Sequence, residues 1–442
     1  MQSSLVLEDL DVLAEDATYA ERFRRLLQGD LDFHGKNSTY GNHSWHAFPA
    51  KFPPQLPRVF IRELTKPGEV VFDPMMGSCT ALLEAVRLNR KTVGCDIDPL
   101  TLRIGAAKLR PIKVEHAAGV GRRVVEGARN SLANHREWLE SKLHERTDEP
   151  TRAFIEYWFA KTTQIELMAL LHEIDLLDDL SLREFFKLVF SAIIITKSGG
   201  VSLARDLAHT RPHKVDKIPN SALDEFQKRL QRNLQSYQPQ PGITFRICEA
   251  DAQNLPIADN SVALIVTSPP YVSHAIDYMR AHKFSLAWLG HSVDDLSSLR
   301  RKYIGGDAIS KLRMESMPEY TRSIIQRLEN LDKKKSLSLH RYCSEMTLVL
   351  KEMYRVLKPG RAAVLVVGTS VLRGVNVETQ NCLGEIGRGV GFDLVHIGVR
   401  RLDRDKRMMP ARWHENNGTT IEARMHEEYV IGFLKPETTR CE

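Results

Sequence analysis

A strand, a short loop and a helix start follow one another at residues 70–85, and this unit constrains the fold more than any other segment. Residues 70–72 (VVF) have the apolar composition of a buried strand. The loop at residues 73–80 (DPMMGSCT) is rich in small residues, and an apolar helix start (ALLEA) follows it. Such a unit is typical of the first part of a nucleotide-binding α/β sheet. We therefore predict a doubly wound α/β fold with a ligand site at this loop.

A carboxylate follows the second predicted strand. Residues 91–95 (KTVGC) have strand character, and Asp96 comes directly after them. Its two oxygens can accept hydrogen bonds from the two hydroxyls of a ribose, so Asp96 is our first choice for that role and Asp98 the second. Asp98 precedes Pro99, however, and an equally good interpretation is that it caps the next helix.

A third motif, residues 267–271 (TSPPY), follows the apolar run at 262–266 (VALIV). Two consecutive prolines lack N–H groups, so this backbone presents mainly carbonyl acceptors, and the tyrosine offers a flat face for stacking. Acceptors beside an aromatic face suit a planar group with an exocyclic amine, such as cytosine or adenine. The alternative is that the prolines simply end a buried strand in a rigid turn.

Taken in order, these motifs resemble the amino-methyltransferases that use S-adenosylmethionine to methylate exocyclic amines of DNA bases. Residues 73–80 resemble their cofactor loop, residues 268–271 their catalytic motif, and residues 46–54 (HAFPAKFPP) a further cofactor-contacting segment. Residues 354–367 and 428–433 resemble the helix, turn and late strands of that fold. The family therefore implies a Rossmann-like methyltransferase sheet, in one of its permuted motif orders.

The resemblance implies direct transfer of a methyl group to the amine of a flipped base. Serine in first place is more usual in cytosine-N4 enzymes, so cytosine N4 is the first choice, and adenine N6 or an RNA guanine amine are the alternatives. In this interpretation Ser268 and the Pro269 carbonyl hold the amine protons, Pro270 stiffens the turn, and Tyr271 stacks on the base. A catalytically silent DNA-binding specificity module is the alternative outside enzymes. Double-stranded DNA, a restriction–modification setting and a cognate restriction endonuclease are the implied partners and context.

The predicted cofactor-binding residues come from the segments that carry the resemblance. They are Phe48, Lys51, Phe52, Asp73, Pro74, Gly77, Ser78, Thr80, Asp96, Asp98, Asp251 and Ala252. Asp73 and Gly77 would shape the loop around the methionine end of S-adenosylmethionine. Asp251 would accept a hydrogen bond from the adenine amine, or cap a turn, and Lys51 would either line the pocket or lie in solvent.

One residue departs from the family pattern. Cys79 stands where the cofactor loop usually has glycine. If this position needs a positive φ, cysteine costs about 1 kcal/mol or slightly more there. We therefore expect this substitution to weaken cofactor binding.

Three basic stretches are candidates for nucleic-acid contacts, although each could equally be a solvated surface. Their candidate residues are Arg205, His209, Arg211, His213 and Lys214 in the first, Arg300, Arg301 and Lys302 in the second, and Arg404 and Arg407 in the third, which begins at Arg400. Asp277, Tyr278 and Lys283 are predicted to flank the target-base pocket.

Composition is compatible with this interpretation. The chain has 442 residues, which exceeds one ordinary core, and its net charge of +6 is compatible with a polyanionic partner. The six cysteines have no metal-type spacing, so we predict reduced thiols and no metal site. Neither a signal peptide nor an apolar run of membrane length is visible, which predicts a cytoplasmic protein.

The motif positions predict six segments. They are an N-terminal helical segment (1–40), the cofactor half of the methyltransferase domain (41–110), a helical insertion for target recognition (111–240), the catalytic half (241–271), a basic insertion for target recognition (272–335) and the C-terminal part of the methyltransferase domain (336–442).

Overall fold

A seven-stranded mixed sheet forms the centre of the fold. The computed structural model describes residues 17–49, 51–196, 198–205, 217–239, 242, 244–272, 277–305, 314–368, 370–402 and 427–437. The strands in chain order are β1 (Val70–Asp73), β2 (Lys91–Asp96), β3 (Phe245–Glu249), β4 (Val262–Thr267), β5 (Leu357–Gly368), β6 (Val371–Leu372), β7 (Val375–Asn376), β8 (Asp393–Arg401) and β9 (Glu427–Leu434). Strands β6 and β7 form a separate two-stranded ladder.

The sheet order is β3-β2-β1-β4-β5-β9-β8. The first five strands in that order are parallel, and β9 runs antiparallel to both of its neighbours. Strand β4 is buried along its whole length, because both faces of a central parallel strand are covered. This explains why residues 262–266 form a continuous apolar run instead of alternating with polar residues.

Helices cover both faces of the sheet. The α-helices of the described chain are α1 (Tyr19–Gln28), α2 (Gln55–Leu64), α3 (Thr80–Arg87), α4 (Pro99–Leu109), α5 (Val114–Asn134), α6 (Arg136–Arg146), α7 (Glu149–Trp158), α8 (Lys161–Asp175), α9 (Leu180–Ile194), α10 (Ala222–Ser236), α11 (Tyr278–Leu286), α12 (Val293–Arg300), α13 (Glu319–Glu329), α14 (Lys333–Val356) and α15 (Thr379–Val390).

Alternate strand residues contact different helices. Leu264 and Val266 of β4 pack in one core with α1, α2 and α3, whereas Ile265 packs in another with α13, α14 and α15. This period of two is what a sheet buried on both faces requires. The doubly wound α/β fold predicted from the sequence is confirmed.

The helices α5 to α10 form a further layer between β2 and β3 in the chain. Their apolar side chains share one core with Leu100 and Ile104 of α4 and with Phe284 and Trp288 around α11. The layer therefore packs against the sheet domain through α4 and α11 and does not stand apart from it. Among the described residues, no helix is both long and apolar enough to cross a bilayer.

Candidate active site

A cavity of about 550 Å³ lies beyond the carboxyl ends of the parallel strands. The residues that follow β1, β2, β3 and β4 all contribute to its wall, together with the end of α12 and the first part of α14. This edge is where open α/β sheets bind their ligands, and the volume falls within the range of about 300–1,000 Å³ that is usual for ligand pockets.

All twelve predicted cofactor-binding residues line this cavity. They are Phe48, Lys51, Phe52, Asp73, Pro74, Gly77, Ser78, Thr80, Asp96, Asp98, Asp251 and Ala252. They come from segments separated by as many as 204 positions in the chain, from Phe48 to Ala252, so the sheet brings them together. Their roles in binding remain predictions, and the geometry of each determines what it can contribute.

The loop after β1 approaches its neighbours closely. Gly77 has a φ of +44°, and a Cβ added there would lie 3.3 Å from the Phe48 ring. The buried ammonium of Lys108 donates a 2.9 Å hydrogen bond to the Ser78 carbonyl, and burial lowers the pKa of Lys108 to about 7. Lys108 was not predicted from the sequence, because nothing near it in the chain marks it as a support of this loop.

Cys79 has a positive φ, which is the condition under which cysteine is costly at its position. Its φ is +67°, in the left-handed region, directly before α3 begins. The thiol is fully buried with Met76 and Leu82 and does not line the cavity. Any cost of cysteine here therefore falls on the loop conformation and not on the space for a ligand.

Asp73 ends β1 at the bottom of the cavity. Its carboxylate accepts a 3.1 Å hydrogen bond from the Met75 backbone N–H. Burial raises the pKa of Asp73 to about 7. The side chain thus supports the start of the loop that follows β1.

Asp96 keeps acceptor capacity for a ligand. One carboxylate oxygen accepts the Gly77 N–H at 2.9 Å and the other accepts the Asp98 N–H at 3.0 Å. A carboxylate oxygen has two lone pairs, so each can accept one more hydrogen bond, as the two hydroxyls of a ribose would require. Burial, and then the charge of Asp98, raises the pKa of Asp96 to about 6.

Asp98 is engaged on both of its oxygens. One caps α4 by accepting the Leu100 N–H at 2.8 Å, which is the capping role that the sequence left open. The other accepts hydrogen bonds from His282 at 2.6 Å and Tyr303 at 2.8 Å. Burial acts to raise the pKa of Asp98, but His282 and Tyr303 outweigh it and hold the pKa below its ordinary value.

One further acidic residue and one basic residue of the cavity also form hydrogen bonds within the protein. Asp251 accepts a 2.9 Å hydrogen bond from the Gln253 N–H, so it caps a turn as well as lining the cavity. Lys51 donates a 2.9 Å hydrogen bond to the His43 carbonyl, and burial lowers the pKa of Lys51 to about 8. Lys51 is therefore a pocket residue and not a solvated one.

The predicted catalytic turn follows β4. Ser268 and Pro270 line the cavity, whereas Pro269 and Tyr271 are buried behind them. The Ser268 hydroxyl donates a 3.0 Å hydrogen bond to the Val366 carbonyl of β5. While its proton is used in this way, the Ser268 oxygen presents acceptor lone pairs towards the cavity.

Tyr271 has partners that the sequence analysis missed. Its hydroxyl donates a 3.0 Å hydrogen bond to the carboxylate of Glu428, which also forms a buried ion pair with Arg400. Burial, and then the charge of Glu428, raises the pKa of Tyr271 well above its usual range. A charged residue at the start of the apolar strand β9 was the only sequence signal for Glu428.

Aromatic and charged side chains of the second insertion form another part of the wall. Tyr278 stacks on Phe48 with ring centroids 5.2 Å apart, and both rings line the cavity. Asp277 lines it too and pairs with Arg300 at 2.5 Å. Lys283 instead lies over the Phe154 ring, at 5.0 Å from its centroid, and is not among the lining residues.

The basic stretch at the end of α12 lies at the cavity. Arg300, Arg301 and Lys302 are exposed lining residues, and Lys335, which the sequence analysis missed, lines the same cavity. Arg205 is exposed but lies elsewhere, after a turn in which the Lys217 ammonium donates to three carbonyls. The remaining candidates lie outside the described residues: His209, Arg211, His213, Lys214, Arg404 and Arg407.

Within the described chain, no three His, Cys, Asp or Glu side chains form a group that could hold a metal ion. The donor set of the cavity instead fits S-adenosylmethionine. Asp96 offers acceptors for ribose hydroxyls, Lys51 offers a cation for a carboxylate, and Phe48 and Phe52 offer apolar surface.

The fold and the cavity define an α/β protein with a ligand-sized cavity at the carboxyl ends of its parallel strands. Residues 27–107, which contain the cofactor loop and Asp96, match the family model N6_N4_Mtase, described as DNA methylase. This part of the chain therefore has the sequence pattern of the N6/N4 DNA methylases.

Curated relatives extend the similarity along most of the chain. The type II methyltransferase M.MvaI of Kocuria varians is 25% identical over 407 residues, which are 86% of this chain and 87% of the relative. M.BsoBI of Geobacillus stearothermophilus is 23% identical over 414 residues, covering 82% and 80% of the two chains. Among solved structures, a putative DNA modification methylase from Thermus thermophilus is 17% identical with a TM-score of 0.22, covering 44% of this chain and 53% of that one.

Proposed function

We propose that this protein is an S-adenosylmethionine-dependent DNA methyltransferase that methylates the exocyclic amine of a flipped base, cytosine N4. One observation carries the proposal: Ser268 and Pro270 line the same cavity as the twelve predicted cofactor-binding residues. The match of residues 27–107 to DNA methylases and the similarity to type II methyltransferases support it independently.

The chemistry asks the protein mainly for positioning. S-adenosylmethionine, when bound, supplies an electrophilic methyl group. The lone pair of a cytosine amine is delocalised into the ring, so the amine is a poor nucleophile until its protons are held out of the ring plane. The Ser268 oxygen, whose proton is donated to Val366, would accept one amine proton, and the main-chain carbonyl of Pro269, a residue that is otherwise buried behind Ser268 and Pro270, would accept the other. Acceptors fixed in advance are effective because they need no reorganisation during the reaction.

The cavity also explains why the target base would leave the duplex. Ser268 lies at the end of a central strand, and a base inside a DNA helix could not reach it, so base flipping is required. Arg301, Lys302 and Lys335 at the cavity would contact phosphates near the extruded nucleotide. We extend the proposal to residues 111–240 and 272–335 as the two target-recognition insertions.

The similarity to type II methyltransferases also suggests the setting. In our proposal the protein modifies a short DNA sequence within a restriction–modification system and protects it from a cognate endonuclease. The specificity for cytosine rests on Ser268 in the first position of the motif, and adenine N6 is the competing target.

Methyl transfer can be tested directly. The purified protein is incubated with radiolabelled S-adenosylmethionine and unmethylated genomic DNA, and the DNA is then digested to nucleosides. We expect the label on N4-methylcytosine, with Ser268→Ala as the matched control of reduced activity. Label on N6-methyladenine would keep the reaction and overturn the use of Ser268 to choose the base. Label only on RNA would overturn the DNA substrate, and cofactor binding without any transfer would favour a silent DNA-binding module.

A further inference from the structure

A buried chain of three polar side chains lies directly behind the catalytic turn. Tyr271, Glu428 and Arg400 are 7%, 8% and 8% exposed. The Tyr271 hydroxyl donates to one oxygen of the Glu428 carboxylate at 3.0 Å, and the Arg400 guanidinium pairs with the other. Both oxygens of Glu428 thus have a partner, so its charge is held in one orientation.

The sheet register places this chain at the edge that carries the cavity. Glu428 lies opposite Gly368, the last residue of β5, and opposite Arg400 near the end of β8. Because β9 runs antiparallel to β5, its first residues lie at the carboxyl ends of the parallel strands. Ser268 is bonded to Val366 of the same β5, so Glu428 and Ser268 are held by one strand.

A buried ion pair adds little net stability to a folded protein. Removing two charges from water costs several kcal/mol per ion, and an apolar pair of similar volume is often as stable or more so. Two adjacent strands in the core could therefore use apolar side chains at positions 400 and 428. The carboxylate does what an apolar side chain could not: it accepts the hydroxyl proton of Tyr271.

We propose that Glu428 is a positioning residue for methyl transfer, which acts by fixing Tyr271 and with it the turn that presents Ser268 to the cavity. This inference rests on the proposed function. Arg400 supports Glu428 by neutralising its charge and orienting it. Only Ser268 and Pro270 of the turn face the cavity, so the buried tyrosine acts as the anchor of the turn before any base enters.

A neighbouring pair on the same strand provides a matched control. Tyr429 donates a 3.1 Å hydrogen bond to Glu427, so it repeats the tyrosine–glutamate bond one residue away. Among the described residues, Tyr429 and Glu427 do not line the cavity, and the hydrogen bond between them does not involve the catalytic turn. Loss of this bond changes the strand but leaves the turn unchanged.

The test is a double-mutant cycle of Tyr271→Phe and Glu428→Gln in the full chain, measured as the single-turnover rate of methyl transfer at saturating S-adenosylmethionine and DNA. Tyr271→Phe keeps the ring and loses the bond, and we expect a rate about tenfold lower, which is what a hydrogen bond to a charged group is worth. Glu428→Gln keeps an acceptor, and we expect about a threefold loss. The double variant should be no slower than Tyr271→Phe alone, because the acceptor no longer matters without the hydroxyl.

Cofactor affinity by calorimetry should stay within about twofold of wild type in all these variants, and Tyr429→Phe and Glu427→Gln should keep the wild-type rate. The inference is overturned if Tyr271→Phe transfers methyl groups at the wild-type rate, or if the losses of the two single variants multiply in the double. A lower melting temperature with an unchanged rate would show a purely structural role and overturn it as well. If Glu428→Gln does not fold, the inference is tested by comparing the methyl-transfer rate of Tyr271→Phe with that of Tyr429→Phe. A wild-type protein that binds the cofactor but methylates no nucleic acid would instead overturn the proposed function.

Discussion

Asp98 and His282 are joined by a 2.6 Å hydrogen bond although 184 positions separate them in the chain. Asp98 follows the strand that carries Asp96, and His282 lies in α11. Tyr303 donates to the same Asp98 oxygen, so one carboxylate holds two points of the segment 277–305. The part of the chain that carries Arg300, Arg301 and Lys302 is therefore fixed directly to the predicted ribose site.

Asp98→Asn should separate the capping role of this residue from its role as an anchor. Asparagine caps helices as well as aspartate does, but its NH2 group would face the two donors His282 and Tyr303. Losing two hydrogen bonds to a buried charge should lower the free energy of unfolding by about 3–6 kcal/mol, measured by urea denaturation. The control is Asp148→Asn, at the exposed cap of α7, which should be nearly neutral. Equal losses in the two variants would contradict an anchoring role for Asp98.

Cofactor affinity should depend on pH through Asp96. Burial raises the pKa of Asp96 to about 6, so the free protein holds a proton there below that pH. Ribose hydroxyls donate to the ionised form, and binding must then release the proton. We expect the affinity for S-adenosylmethionine to be about tenfold lower at pH 5 than at its plateau above pH 7.

Calorimetry between pH 5 and 8 would measure this effect. Asp96→Asn should bind S-adenosylmethionine more weakly and lose the pH dependence below pH 7. Equal affinities of the wild-type protein at pH 5 and pH 8 would contradict this role of Asp96. The stability of the free protein depends on pH in the opposite direction. A carboxyl whose folded pKa is raised contributes stability at low pH that is lost as the pH rises from about 4 through 6.

At position 79 we expect the glycine variant to be at least as stable as the alanine variant, which is the reverse of the usual order. At a φ of +67°, an L-residue costs about 1–2 kcal/mol relative to glycine, which exceeds the entropic cost of glycine in the unfolded chain. Cys79→Gly should therefore be at least as stable as Cys79→Ala, by up to about 1 kcal/mol in urea denaturation, and should bind S-adenosylmethionine at least as tightly. Cys95, equally buried but in extended β2, is the comparison: there the alanine variant should be the more stable. Finding the alanine variant more stable at both positions would show that backbone strain at Cys79 is negligible.

Lys302 should contribute one phosphate contact to DNA binding. It is exposed at the cavity and forms no ion pair with any described residue, whereas Arg300 is already paired with Asp277. Lys302→Ala should weaken binding to all DNA sequences alike and reduce the slope of log Kd against log salt by about one. Lys358 is also exposed but lies at the opposite end of the sheet, where β5 begins, and its alanine variant should bind like wild type. An unchanged salt slope in Lys302→Ala would place the DNA elsewhere.

Local motifs made much of this architecture predictable. Strand–loop–helix units and the residues within them are contiguous in sequence, so the cofactor loop and Asp96 could be located before the sheet was known. Contacts between distant segments could not. Asp98 meets Tyr303 across 205 positions and Tyr271 meets Glu428 across 157, and no pattern near either residue marks its partner. The burial of Tyr271 behind the cavity wall was not predictable either, because it depends on how β9 and β8 follow β5.

The hydrogen bond from Ser268 to the Val366 carbonyl has a consequence for discrimination among the four bases. With its proton turned towards β5, the serine oxygen presents lone pairs to whatever enters. An amino group, as on cytosine or adenine, meets it with a donor. A keto group, as at the corresponding position of thymine or guanine, meets it with another lone pair and is repelled. In the proposed function, this orientation of the Ser268 hydroxyl would favour amino bases over keto bases in the cavity.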